Sequence, residues 1–171
     1  MNTIIVWIIG GAALLGALFF LGAPDGQRPA SGAETPSAQA AVGASLLFSE
    51  TAFDFGTISM EKGVVTHTFL ITNTSSSSPI TLTRIVTSCM CTEASLKTPS
   101  GTFGPFGMPG HGGVGGKLSH TIAAGESREI EVVFDPAAHG PSGVGRITRG
   151  VIIEEKGGGT NTIEISALVT P

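Results

Sequence analysis

The stretch Val64–Asn73 reads VVTHTFLITN, and its alternation limits the fold more than any other part of the chain. Val65, His67, Phe69 and Ile71 fall on one face of an extended backbone, and Thr66, Thr68 and Thr72 on the other. A period of two suits a strand with one face buried, and gives a helix no continuous apolar stripe. Similar short runs occupy Ser45–Phe48, Phe53–Ile58, Ile80–Ser88, Thr92–Lys97, Ser127–Phe134, Arg146–Glu155 and Thr162–Val169. Turn-forming residues separate them, notably the serine-rich Thr74–Pro79 and the proline-containing Asp135–Gly145;. The pattern predicts an all-β domain over residues 45–171, an immunoglobulin-like β-sandwich of about seven or eight strands. A small barrel satisfies the same periodicity.

The N-terminus follows different rules. Ile4–Leu21 (IIVWIIGGAALLGALFFL) carries no charge. Its length matches the roughly 18–20 apolar residues that cross a bilayer core. Trp7 suits an interfacial position;. A cleaved secretory signal is the alternative, but no Lys or Arg precedes the apolar run;. Leu21-Gly22-Ala23 is a poor cleavage site, and Ala38-Gln39-Ala40 lies too far downstream;. Residues 1–22 are therefore expected to form one N-terminal transmembrane helix. Residues 23–44, rich in Ala, Pro, Gly and Ser, are expected to form a flexible linker;. Arg28 is offset by Asp25, so basic residues specify orientation only weakly;.

Thr98–Gly125 breaks the strand pattern. It is long, rich in glycine and nearly uncharged, and reads as a loop (residues 98–125), a class of segment that often carries function;.

The net charge of -4 argues against a nucleic-acid partner, because a grip on phosphates needs clustered Lys and Arg;. Catalysis has little support. Asp25, Asp54 and Asp135 are the only aspartates, and two of them sit in turn-like segments. No strand–elbow–helix unit presents a nucleophilic serine, and the glycine-rich stretch lacks the Gly-Lys-Ser/Thr ending of a phosphate loop;. No third group is evident to orient a Cys–His pair. An enzyme is not expected.

Cys89 and Cys91 are the only cysteines. In an extended segment, residues i and i+2 share a face with Cα atoms about 6.6 Å apart. That spacing is awkward for a disulfide and comfortable for two thiolates on one metal ion. Three readings stand: a semi-buried structural pair, a metal site, or a strained redox disulfide. Met108 and His111, set among glycines, offer a thioether and an imidazole; with two thiolates they favour a soft ion such as Cu(I);. If Thr74–Pro79 joins its flanking strands as a hairpin, His67 lies near Val86 and Ser88, beside Cys89. A hydrogen-bonded histidine at the core edge is the plainer account of His67, and a solvated turn residue that of His139. His120 has no supporting context. Asn73-Thr74-Ser75 fits a glycosylation acceptor, and more simply a turn asparagine;.

Several motifs stand together in order: Phe53-Asp54-Phe55-Gly56-Thr57-Ile58, Thr68-Phe69-Leu70-Ile71-Thr72-Asn73-Thr74, Ser88-Cys89-Met90-Cys91-Thr92, Ala124-Gly125-Glu126 and Val133-Phe134-Asp135-Pro136. With them the chain resembles the bacterial domain-of-unknown-function family 1573, similar in turn to immunoglobulin-like domains of the hydin and major-sperm-protein type. The resemblance covers most of Phe53–Val169. The family usually has Cys-Gly-Cys-Thr where this chain has Cys89-Met90-Cys91-Thr92; both thiols are kept. The resemblance implies an extracytoplasmic β-sandwich, often membrane-anchored, and supplies no activity.

The leading expectation is a single-pass protein of the cell membrane with its C-terminal domain periplasmic or extracellular. That domain would hold Cu(I) through Cys89 and Cys91, with Met108 and His111 from the glycine-rich segment and His67 or His139 completing the shell. The alternative is a non-catalytic surface module that binds a protein partner through the Thr98–Gly125 segment. A further alternative is a thiol redox carrier.

Overall fold

The computed structural model describes residues 46–111 and 115–171. Their alternation resolves into ten strands: β1 (Leu46–Phe48), β2 (Ala52–Ser59), β3 (Val65–Asn73), β4 (Ile80–Thr87), β5 (Thr92–Thr98), β6 (Gly101–Phe106), β7 (Lys117–Ile122), β8 (Ser127–Phe134), β9 (Gly145–Glu155) and β10 (Thr160–Thr170). They form two five-stranded sheets, in the orders β1-β3-β8-β5-β6 and β2-β10-β9-β4-β7. Among the described residues there are only short 3-10 turns, Met60–Lys62 and Gly140–Gly143, and no helix long and apolar enough to cross a membrane. The expected anchor (1–22) and linker (23–44) lie outside the described residues.

The core is the set of inward positions that the alternation selects. Phe69 and Ile71 on β3 meet Ile130, Val132 and Phe134 on β8, and Ile163, Ile165, Ala167 and Val169 on β10 in one buried cluster. Removing such side chains from water stabilises the fold by about 1.5–3 kcal/mol each.

Three expectations need correction. First, β3 and β4 do not pair as a hairpin. β3 pairs with β1 and β8, while β4 pairs with β9 and β7, so the Thr74–Pro79 turn carries the chain from one sheet to the other. Both strands have strongly apolar inward faces, and placing them in opposite sheets buries both in one cluster that includes Phe69, Ile71, Leu82 and Ile85;.

Second, Thr98–Gly125 is not a loop throughout. β6 extends the first sheet beside β5 and buries Phe106; β7 extends the second beside β4 and buries Ile122. The glycines that hid the pattern are steric requirements. A Cβ on Gly104 would stand 2.9 Å from the Ala94 carbonyl oxygen, and one on Gly116 (φ +72°) 2.5 Å from Val86 Cγ1;. Third, these two strands, added to the runs read from the sequence, bring the count among the described residues to ten rather than seven or eight.

Asn73 is fully buried. Its Nδ2 donates to the carbonyls of Ser78 (2.9 Å) and Ile122 (3.0 Å), and its Oδ1 accepts from the Ser75 amide (3.0 Å). One side chain thus ties the end of β3, the following turn and the end of β7. It is the turn asparagine of the simpler reading, with its amide nitrogen committed to protein carbonyls.

Candidate functional site

The connection from β4 to β5 crosses between the sheets in four residues, Ser88–Cys91. So short a crossing demands a tight turn, and the Thr92 amide donates to the Cys89 carbonyl at 3.2 Å;. Buried Thr87 fixes the turn from beneath: its hydroxyl lies 3.0 Å from the Cys89 carbonyl oxygen and 2.9 Å from that of Thr92. The Asp135 amide holds the Cys91 carbonyl (2.9 Å), and Ser88 and Gly150 exchange hydrogen bonds of 2.9 and 2.8 Å.

This turn corrects the extended geometry assumed for the Cys-x-Cys segment. The two Cα atoms are 5.3 Å apart rather than the span of an extended pair, and Cys89 and Cys91 are joined as a disulfide. Met90 occupies the corner and is half exposed.

Each sulfur has its own nitrogen neighbour. His139 Nε2 lies 3.1 Å from Cys89 Sγ, and Arg149 Nε donates to Cys91 Sγ at 3.3 Å. His139 caps the Gly140–Gly143 turn in the β8–β9 connection, which is knotted by the Ala137 amide on Asp135 Oδ1 (2.8 Å) and the Ser142 hydroxyl on the His139 carbonyl (2.9 Å). Cys89 Sγ, Cys91 Sγ and a His139 ring nitrogen all lie within 4.8 Å of one another. Cys89 and His139 open onto a surface depression of about 550 Å³, lined also by Ser88, Met90, Met108, His111, Thr148 and Arg149, while Cys91 lies buried behind Cys89.

The fold therefore brings five of the six candidate residues to one place: Cys89, Cys91 and His139 in mutual reach, Met108 and His111 on the rim. Met108 and His111 share one turn, closed by the His111 amide on the Met108 carbonyl at 3.1 Å. His67 is the exception. With no hairpin to carry it toward Cys89, its ring stacks on Phe53 (3.5 Å between centroids), packs edge-on to Phe69 and touches Glu50 at 2.7 Å. It is the core-edge histidine of the plainer account.

Sequence reasoning missed Arg149, although a signal was present. Ile147, Arg149, Val151 and Ile153 share one face of β9, and the other three are buried. A lone cation in an inward-facing row asks for a partner, and Cys91 is that partner.

His120 on β7 accepts from Arg128 Nε at 3.2 Å and packs against Phe103. Burial, reinforced by the Arg128 cation, lowers its pKa, with Glu126 acting weakly in the opposite sense. The folded state thus resists a proton that the unfolded chain accepts near the ordinary histidine value of about 6.5. This contribution to stability is present above that pH and is lost as pH falls through the folded pKa. His120→Gln is expected to flatten the decline in stability on acidification, measured by urea unfolding at neutral and mildly acid pH. Identical slopes in the two proteins would contradict the assignment.

Residues 46–104 match the model of the family described as "Protein of unknown function (DUF1573)". No curated protein matches the chain. Among solved structures, a protein of unknown function from Porphyromonas gingivalis W83 superposes with a TM-score of 0.53 at 15% identity, over 72% of this chain and 46% of that one. The chain thus spans less than half of that protein, and at this identity the likeness shows a shared fold alone. PapD-like domain 7 of human CEP192 aligns with a TM-score of 0.45 at 9% identity, over 85% of this chain and 98% of that one. The secreted serine protease VesC from Vibrio cholerae aligns with a TM-score of 0.46 at 16% identity, over 74% and 24%.

Proposed function

We propose, from the premise that this chain carries a DUF1573 family domain, that the domain is a membrane-tethered thiol–disulfide carrier working outside the cytoplasm. The observation that carries the reading is the pairing of each sulfur of Cys89–Cys91 with a separate polar group, with Cys89 lining an open depression.

Thiol–disulfide exchange needs a reachable sulfur, a stabilised leaving thiolate and a proton carrier. A thiolate of an external dithiol attacks Cys89 Sγ from the depression. The Cys89–Cys91 bond breaks, the electron pair stays on Cys91 Sγ, and the Arg149 guanidinium offsets that charge. The partner's second thiol then attacks its own mixed-disulfide sulfur, leaving the partner oxidised and this chain with two thiols. Two electrons and two protons have moved, and the His139 imidazole is placed to pass a proton to Cys89 Sγ. Disulfides persist in oxidising compartments, which favours a site outside the cytoplasm, and the uncharged Ile4–Leu21 segment supports the tether;.

A redox titration of the full chain in dithiol/disulfide buffers, read by thiol alkylation, tests this. A single reversible two-electron step involving both cysteines is expected. Arg149→Gln removes the cation that favours the reduced form and is expected to lower the potential by about 30 mV, equivalent to roughly 1.4 kcal/mol. A pair that resists reduction until the domain unfolds would overturn the reading.

A further inference from the structure

We propose that the reduced pair is also a binding site for one soft monovalent cation, Cu(I), and that oxidation to the disulfide closes it. The inference rests on the redox reading in one respect only: the pair must open.

The ligand set is already gathered. Two sulfurs and the His139 ring nitrogen lie within 4.8 Å of one another. Ligands bound to a common ion at about 2.3 Å stand roughly 4 Å apart, so opening the disulfide needs side-chain rotation and little more. Backbone movement is opposed by the hydrogen bonds on both cysteine carbonyls. On binding, two thiols lose two protons and the ion gains two thiolates; no electrons move. In the disulfide the same sulfurs are spent on each other and carry no charge for a cation, so one pair of atoms serves two exclusive states.

Charge selects the ion. Two thiolates and one monovalent cation leave a single negative charge, and Arg149, already on Cys91 Sγ, neutralises it. A divalent ion would leave the cluster neutral, and the guanidinium charge beside it unbalanced. Sulfur and imidazole donors favour Cu(I) on softness as well. Met90 and Met108 add thioethers at the rim, with His111 on the same turn as Met108. They form an uncharged, weaker set through which an ion reaches the thiolates.

The test is an anaerobic titration of the full chain with Cu(I) against a colorimetric Cu(I) chelator, run on the reduced and the disulfide forms, with thiols counted in parallel. One Cu(I) per reduced chain is expected, with affinity at least about 100-fold weaker in the disulfide form and in the double variant Cys89→Ser/Cys91→Ser. The redox-inert Ag(I) is expected to follow the same pattern. Met108→Leu/His111→Ala, which leaves the thiolates in place, is expected to slow transfer from the chelator several-fold while keeping the stoichiometry. Reduced chain that binds no better than the folded double-serine variant overturns the proposal. So does equal affinity in the disulfide form, or tighter binding of Zn(II) than of Cu(I). If the pair opens and closes reversibly but takes up no Cu(I), this inference falls and the redox reading stands. If reduced chain binds Cu(I) but never re-forms the disulfide, the redox reading falls with the closing step.

Discussion

Asn73→Asp is expected to lower the unfolding free energy by at least about 3 kcal/mol. The substitution keeps the shape of the side chain and replaces the Nδ2 donor with a carboxylate oxygen. That oxygen would face the carbonyls of Ser78 and Ile122, now 2.9 and 3.0 Å from the amide nitrogen. Two hydrogen bonds become two repulsions, and a charge is placed where no water reaches it;. Protonation of the new carboxyl relieves part of the cost, so the deficit is expected to shrink at low pH. Asn73→Ala, which removes donors without adding charge, is expected to cost less than the aspartate variant at neutral pH. Urea denaturation of the three proteins at neutral and acid pH checks the order. A loss below about 1 kcal/mol for Asn73→Asp would mean that the side chain does not tie β3 to β7.

Phe69→Ala is expected to cost about 3–5 kcal/mol, the range for emptying a fully buried aromatic site. Phe69 has no exposed surface and lies edge-on to His67, which in turn stacks on Phe53. Its loss leaves a void among residues from both sheets and frees one face of the His67 ring. Phe103→Ala is the matched control: this ring is 38% exposed, and its removal is expected to cost about 1 kcal/mol or less;. Similar losses in the two variants would contradict the placement of β3 in the core. The Cys89–Cys91 pair is far from Phe69 in sequence and is held by its own turn, so its redox chemistry is expected to survive wherever the variant stays folded.

The two variants also show how the sequence could be read. Ser127–Phe134 matches β8 at both ends, and Val64–Asn73 anticipates β3 within one residue, because clean alternation leaves one face to bury;. The hairpin between β3 and β4 was not legible in that way. A serine-rich turn serves a same-sheet return and a crossing to the facing sheet equally well, and only core packing chooses. β6 and β7 were hidden because Gly101, Gly104 and Gly116 contribute no hydropathy, although backbone geometry requires them.

The candidate site was half legible. Chemistry joins Cys89, Cys91, Met108 and His111 in the sequence, and the fold places Cys89, Met108 and His111 around one depression with Cys91 bonded to Cys89 beneath it. His139 gains its place from the knotted β8–β9 turn, which no local pattern encodes. A place for His67 beside Cys89 depends on the hairpin and falls with it. A Cys-x-Cys disulfide is awkward on an extended backbone, whereas the four-residue crossing between sheets requires a turn that draws the two Cα atoms to 5.3 Å.

The parallel pairing of β2 with β10 has a mechanical consequence. β2 runs alongside the last strand with Ala52 opposite Glu164 and Ser59 opposite Thr170, and Ser59 Oγ also donates to the Pro171 carbonyl at 2.9 Å. Tension applied ahead of β2 and beyond β10 pulls the two strands lengthwise in opposite directions. The hydrogen bonds between them then share the load in shear, where an antiparallel hairpin pulled at its open end would give way one bond at a time. Once the short β1 has come away from β3, the β2–β10 seam is where such a pull is met by many bonds at once, and the β4–β5 turn that holds the sulfurs belongs to neither strand of it.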